Sequence, residues 1–478
     1  MVATWDRRTP AERDRVRAMV LGGWIPAVTS FSPFWASYLD RVGVDPARVR
    51  SGADLETIPP VREANVVGAG GPGSPALVLR PTEKQVKAGA TFGTLLQVAR
   101  GIRRRGAAGK RTALLTEYKP IHLHPAGRDG QLTIAYTRTD LDRLHRTGAR
   151  AAQVLGLSSD DYLVSAVPAD GTLRFWGLYH LALGSSLLAV HARGHGRPVD
   201  DTVWAFRRVP ATAVAVPTAD AVALAAVAAG SGADLGEVRM VVVVGVPPDD
   251  ERRHAVADAW RAAGSAPTVR VLALWAPAGG RSLWAECADA GRATGLHTYP
   301  DLEVLEVLDP ATGRTSDGAG DLTYTSAGWH GTGLIRYRTG DRVAGLDDTV
   351  CSGCGRTVPR VLGPVTEAAW EPRLATPAGS ERIDVRGAGA VLAGDERVDA
   401  WQVELRGPTA RRTGDAYVVH LSTSMQPQAL VDIDRRLTDA VGHSPLQLLI
   451  NDSADVNAAV ATHGLLVDSR PRMPTGQP

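Results

Sequence analysis

Apolar residues recur at helical spacing over residues 11–21 and 32–43, and Ser51-Gly-Ala-Asp-Leu-Glu-Thr-Ile-Pro-Pro60 closes this opening layer with turn formers. Residues 68–75 form a Gly/Pro-rich linker. From about residue 112 to 275 the pattern changes. Short β-rich runs, Thr112–Thr116, Tyr162–Val167, Arg239–Val244 and Val269–Trp275, predict strands. Residues 139–155, 175–184, 217–229 and 250–263 carry the 3.6-residue period and predict helices. Alternation of this kind implies a layered α/β domain with a substantially parallel sheet, since each helix carries the chain back across the sheet to start the next strand. Residues 297–309 and 320–326 predict paired strands around the turn Asp309-Pro-Ala-Thr-Gly313. Beyond about residue 370, Trp401–Arg406, Ala416–Leu421 and 446–450 predict strands and 427–441 a helix, which together describe a small α+β domain. No internal repeat is evident.

Composition narrows the picture modestly. A chain of 478 residues accommodates two or three domains, and a net charge of +2 gives no global reason to expect nucleic acid or a membrane as partner. The first residues, Met1-Val-Ala-Thr-Trp-Asp-Arg-Arg, lead directly into a charged helical pattern, without the apolar stretch of a signal peptide. Runs such as Ala221–Ala229 and Met240–Val244 are too short to span a bilayer. Three cysteines do not make a disulfide framework, so a reducing, cytoplasmic location is expected.

The most informative stretch is Gly333-Leu-Ile-Arg-Tyr-Arg-Thr-Gly-Asp341, followed by Cys351-Ser-Gly-Cys354-Gly-Arg356. Around it stand Ser32-Pro-Phe-Trp, Tyr136-Thr-Arg-Thr-Asp140, Val241-Val-Val-Val-Gly-Val-Pro-Pro248, Gly295-Leu-His297 and Asp309-Pro-Ala-Thr-Gly313. In this order the motifs resemble the phenylacetate–CoA ligase branch of the adenylate-forming superfamily. The resemblance covers most of the chain, except for roughly Lys84–His122 with its basic run Arg100–Arg111. It implies an α/β fold: a large layered N-terminal adenylate-forming-enzyme-like domain over residues 1–363, and a small C-terminal α+β domain over 364–478. It also implies that Asp341 binds ribose hydroxyls, that Trp275 stacks on a nucleobase, and that Gly127 and Gly130 belong to a phosphate-binding loop. Apart from the resemblance, a carboxylate after a Thr-Gly turn has the two acceptor oxygens a ribose requires, but it also suits a simple turn cap.

Against that framework the sequence departs at four places. His124-Pro-Ala-Gly-Arg-Asp-Gly-Gln131 replaces a Ser/Thr/Gly-rich loop and carries Asp129 where phosphates would sit. Trp275-Ala-Pro-Ala-Gly279 has Ala278 and Gly279 where the family places a hydroxyl and a Mg²⁺-binding carboxylate. Gly363-Pro364 replaces the hinge Gly-Arg, and proline fixes φ there. No lysine follows Lys119, whereas the family's catalytic lysine stands near the C-terminus; Arg470 and Arg472 are the nearby cations. Four separated losses weaken the case for ATP, AMP and Mg²⁺ as cofactors, and CoA remains unassigned.

Cys351 and Cys354, with Cys287 and His297, make a Cys3His set suited to a closed tetrahedral structural Zn²⁺, a pattern the resemblance also carries; three buried inert thiols are the alternative. The helix Leu173-Arg-Phe-Trp176-Gly-Leu-Tyr179-His180 matches one that helps form the family's acyl pocket, so Trp176, Tyr179 and His180 are candidates to contact a carboxylic-acid-like small molecule. Their spacing equally suits core packing. Two glycine patterns carry no function. Gly68-Ala-Gly70-Gly-Pro-Gly73 lies among prolines, and Gly106-Ala-Ala-Gly109-Lys110-Arg111 has the wrong spacing for a P-loop. The leading expectation is a ligase-like protein impaired in carboxylate adenylation that binds a ligand or partner or runs a diverged reaction. One alternative is an active acid–CoA or acid–amine ligase in which Arg128, Glu286 and Arg470 or Arg472 deputise. Another is a noncatalytic subunit that docks a partner protein through Arg100–Arg111.

Overall fold

A computed structural model of the chain describes residues 2–61, 66, 77–82, 84–86, 92–126, 132–192, 198–289, 291–309, 313–367, 372–376, 379–383, 385–409, 412–463 and 465–470. The linker 68–75 and the loop 127–131 lie outside these. The chain divides into two compact units, residues 1–365 and 366–478.

In the first unit, strands β1 (His122–Ala126) and β2 (Leu132–Tyr136) form an antiparallel hairpin. The main sheet then begins with β3 (Tyr162–Ser165), β4 (Leu188–His191), β5 (Ala213–Pro217), β6 (Met240–Val244) and β7 (Arg270–Trp275). These five pair in parallel in the spatial order β4-β3-β5-β6-β7. The continuous apolar runs of the inner strands follow from burial on both faces: every residue of β6 is buried, whereas edge strand β4 is exposed to half-buried. The sheet continues antiparallel through β8 (Trp284–Asp289) and β9 (Arg292–His297). A smaller antiparallel sheet contains β10 (Val304–Leu308), β11 (Gly320–Thr325) and β12 (Tyr337–Val343). β13 (Gly345–Asp347) and β14 (Arg360–Leu362) complete the main sheet beside β9.

Local chemistry fixes the helices that cross the sheet. Thr137 and Asp140 form a capping box at the start of helix Arg138–Leu155, and Gly156 ends it in the left-handed region (φ 77°). That helix packs closely on Leu173–Ser185 because a Cβ at Gly148 would lie 2.7 Å from the His180 backbone. The opening helices Pro10–Phe31 and Pro33–Arg41 are pinned to the segment before β12. The Trp24 indole donates to the Trp329 carbonyl (2.7 Å) and the Trp35 indole to that of Gly333 (2.9 Å). Gly333 is required there, since a Cβ would sit 2.7 Å from Val28.

Two sequence expectations are corrected. Thr112–Thr116 is helical rather than a strand, within the helical segment Phe92–Tyr118. Thr112 and Thr116 spend their hydroxyls on the carbonyls one turn back (both 2.9 Å), and the Ala-Leu-Leu between them favours a helix. The strand expected over 297–309 is confined to Val304–Leu308, because residues 298–302 turn around Pro300. By itself, the second unit packs Val385–Ala393 and Pro427–Val441 on a sheet in which Val398–Arg406 pairs antiparallel with Ala416–Thr423. Its core includes Leu405, Tyr417, Val419, Ile433 and Leu437.

Glu303 lies buried at the head of β10, accepting from the Trp284 indole and the Tyr299 amide, both at 2.7 Å. Burial pushes its carboxyl up to about 8. Because the folded state raises this acid's pKa, the associated stability is fully present below the ordinary carboxylate range and is lost as pH rises to about 8. Glu303→Gln is therefore expected to be near neutral at pH 5 and stabilising by at least about 1 kcal/mol at pH 8, read as the difference in denaturant midpoints. An equal effect at both pH values would contradict the assignment.

Candidate ligand cavity and metal centre

Strands β6 and β7 deliver their carboxyl ends, Gly245 and Trp275, to one edge of the sheet, the position where open α/β sheets hold ligands. A cavity of about 320 Å³ opens there. It is lined by residues 124–126 of β1, 172–174, 245–246, 274–280 and Leu283. Among the described residues, Arg174 is the one guanidinium on its wall, and no Asp or Glu lines it.

The loop after β7 explains that absence. Gly279 adopts φ +80°, and a Cβ there would lie 3.1 Å from Tyr337 and 3.2 Å from Leu334. Backbone conformation and crowding thus both resist a carboxylate at this position. Trp275 lines the cavity but is buried, with its ring packed edge-on against Trp284 (centroids 5.6 Å apart). Gly127 and Gly130, with Arg128, fall outside the described residues. Asp341 lies on β12 where the register with β11 shifts between Asp321 and Thr323. Gly340 has φ +76° there, and the Thr339 hydroxyl donates to the Leu322 carbonyl (3.1 Å) and accepts from the Asp341 amide (3.1 Å). The Thr-Gly pair is therefore what shapes this bulge. Asp341 is not among the residues lining the cavity, although Tyr337 on the same strand abuts Gly279.

Glu286 is no substitute for the missing carboxylate. It is buried on β8, where it pairs with Arg253 (3.0 Å) and accepts from the Ala273 amide (2.8 Å). In the second unit, Arg470 pairs with Asp415 (3.2 Å), and Arg472 lies outside the described residues.

Beside the cavity, the helix Leu173–Ser185 brings Trp176, Tyr179 and His180 into an aromatic cluster. Trp176 meets His122 edge-on at 4.7 Å, and Tyr179 lies 5.9 Å from His180 and 5.8 Å from His191. His122 and His191 were missed in the sequence; the alternation His122-Leu-His124 on a strand was the available signal. Burial lowers all four histidines, His124 and His180 to about 4, so the imidazoles are neutral at pH 7. One ring nitrogen each of His122, His124, Trp176, His180 and His191 is buried without a partner among the described residues. Those nitrogens are available to hydroxyl or carbonyl groups of a ligand or to water.

At the far side of the main sheet, Cys287 stands at a bulge in β8, His297 ends β9, and Cys351 and Cys354 come from the knuckle before β14. Gly355 turns the knuckle in the left-handed region (φ 67°), and its amide donates to the Cys351 carbonyl (2.8 Å). Gly353 lets it lie on β8, since a Cβ would be 2.5 Å from the Ala288 carbonyl. The Cys287 sulfur is 3.4 Å from His297 Nε2 and 3.5 Å from the Cys351 sulfur; Cys354 is 3.5 Å from His297 Nε2. Donors on a tetrahedral zinc stand about 3.6–3.8 Å apart, so the set can hold such an ion with little movement. Hydrogen bonding between Cys287 and Cys354 pushes the first thiol well above and pulls the second well below the ordinary thiol range.

The amino-terminal segment laces onto this centre. Buried Asp6 bridges Arg150 and Arg356, while the Thr357 amide donates to the Asp6 carbonyl (2.9 Å) and Arg7 to that of Cys354 (3.3 Å). Arg150 also pairs with Asp301 (2.9 Å). Nothing in the sequence marked Asp6, because its partners lie far along the chain.

No family model matches the sequence, and no curated protein matches it. Among solved structures, the chain is similar to 2-hydroxyisobutyryl-CoA ligase bound to its acyl-AMP and CoA, with 16% identity over 97% of this chain and 91% of that one and a TM-score of 0.60. The same ligase in its postadenylation state gives a TM-score of 0.63 at 16% identity, over 94% and 88% of the two chains. The fold is therefore that of adenylate-forming acyl-CoA ligases.

Purified protein is expected to carry about one equivalent of zinc. Cys351→Ser should lower both zinc content and melting temperature, the latter by roughly 5 °C or more. Metal-free wild-type protein of unchanged stability would contradict the metal centre.

Proposed function

We propose that this chain is a phenylacetate–CoA ligase-like protein that has lost ATP-dependent carboxylate adenylation and uses the cavity to hold a small carboxylic-acid-like ligand. Gly279 carries this reading. Acyl-adenylate formation needs Mg²⁺ to neutralise charge developing on the phosphates, and the loop offers no carboxylate where Gly279 stands, at a positive φ that disfavours a side chain. The departures in the phosphate loop and the missing terminal lysine agree with it. Ligand binding is supported by the cavity, by Arg174 on its wall, and by the neutral imidazoles beside it, which hydrogen-bond without titrating near pH 7. The Cys3His set serves a structural Zn²⁺, because four protein ligands leave no open position for substrate.

Calorimetric titration of the zinc-replete protein with ATP and AMP in the presence of Mg²⁺ tests this. The expected outcome is no binding tighter than about 1 mM. Clear micromolar binding would overturn the proposal in favour of a working ligase with unusual groups.

A further inference from the structure

The helical segment Phe92–Tyr118, which has no counterpart in the resemblance, is not one rod. Arg105 (φ −139°) and Gly106 (φ 58°, ψ −140°) leave helical geometry, and the chain folds back on itself. A Cβ built on Gly101 would lie 2.6 Å from the Gly109 carbonyl and 3.6 Å from Ala113. Such contact between residues eight apart requires two antiparallel arms crossing at a pair of glycines. The second arm is the anchored one. Glu117 pairs with His330 (2.9 Å), and the Tyr118 ring packs on Phe31 (5.3 Å) and His330 (5.4 Å). On the first arm and the tip, Leu95, Leu96, Ala99, Arg100 and residues 102–108 are exposed.

What they expose is unusual for a surface. Leu95 (43% exposed), Leu96 (39%) and Ile102 (46%) are bare aliphatics on the first arm. Among and beyond them stand Arg100, Arg103, Arg104, Arg105 and Arg111, all exposed. Over residues 92–118 there are six basic side chains and one acidic one, and that one, Glu117, is already engaged with His330. The net charge of +2 for the whole chain conceals this local excess.

The geometry points to the hairpin as a peripheral docking element for an anionic lipid surface. Guanidiniums attract the headgroup phosphates and carboxylates while neighbouring leucine and isoleucine side chains enter the acyl boundary, and either alone binds weakly. The inference is independent of the ligand cavity, which is built from other residues.

Co-sedimentation of the full chain with vesicles of phosphatidylcholine alone, or of equal parts phosphatidylcholine and phosphatidylserine, tests it. Wild-type protein is expected to bind only the anionic vesicles and to be released by high salt. The combined Arg103→Gln, Arg104→Gln, Arg105→Gln variant should weaken binding on the order of a hundredfold. The Leu95→Ser, Leu96→Ser, Ile102→Ser variant should weaken it at least about tenfold. All six positions are exposed, and unchanged melting temperatures would confirm that both variants fold. Wild-type protein that ignores anionic vesicles overturns the inference. So does a serine variant that binds as wild type, since charge alone would then act, as it would toward heparin or an acidic protein.

Discussion

The backbone of the loop between β7 and β8 is the constraint on which the functional account turns. Gly279 holds a left-handed conformation with Tyr337, Leu334 and Leu132 closed around its α-carbon. The packing of β12 on the loop therefore crowds the position where a carboxylate would stand. A side chain there would have to adopt a left-handed φ and push these three side chains back by a few tenths of an ångström, so two features of the fold weigh against it. The loop forms one wall of the cavity, and the strand ends at 124–126 and 245–246 with the helix start at 172–174 form the others.

Strand β12 is also where the opening layer is spent. Trp24 and Trp35 grip the backbone leading into it, and Arg336, just before it, is buried with Glu306 (2.9 Å) and donates to the Ile58 carbonyl (2.6 Å). On the opposite side, the Asp6 cluster ties the first turn of chain to the cysteine knuckle and to the helix Arg138–Leu155. Breaking a buried ion pair of this kind costs about 3–5 kcal/mol. The Cys3His cluster and the amino-terminal segment are thus joined through the knuckle, which contributes to both.

Much of this organisation was legible beforehand where local chemistry and tertiary need agreed. Strands β3, β6 and β7 announced themselves as apolar runs, whereas β4 and β5 went unread, and the 3.6-residue period over 139–155 announced the helix Arg138–Leu155. The four metal-ligand candidates converge because their residue types serve little else in a buried setting. Legibility failed where tertiary contacts decide. The helical hairpin could not be foreseen, since Gly101 and Gly109 matter only once the arms cross, and Thr112–Thr116 looked like a strand because β-branching weighs against a helix in isolation. Trp275 was expected to stack on a nucleobase; it lines the cavity, but its ring packs in the core against Trp284, which spacing does not reveal. Glu286 attracted attention as a nearby carboxylate; its partner Arg253 on a sheet-covering helix makes it structural.

The most direct test of the central claim is acid-dependent ATP–pyrophosphate exchange, measured with the zinc-replete protein, Mg²⁺ and a panel of aryl and short-chain acids. Exchange reports formation of acyl-adenylate without any assumption about the acceptor that would follow. The account predicts no exchange above the protein-free background with any acid. Exchange that appears with one acid and vanishes without Mg²⁺ would contradict it, and would place a metal-dependent adenylation site in this chain despite Gly279.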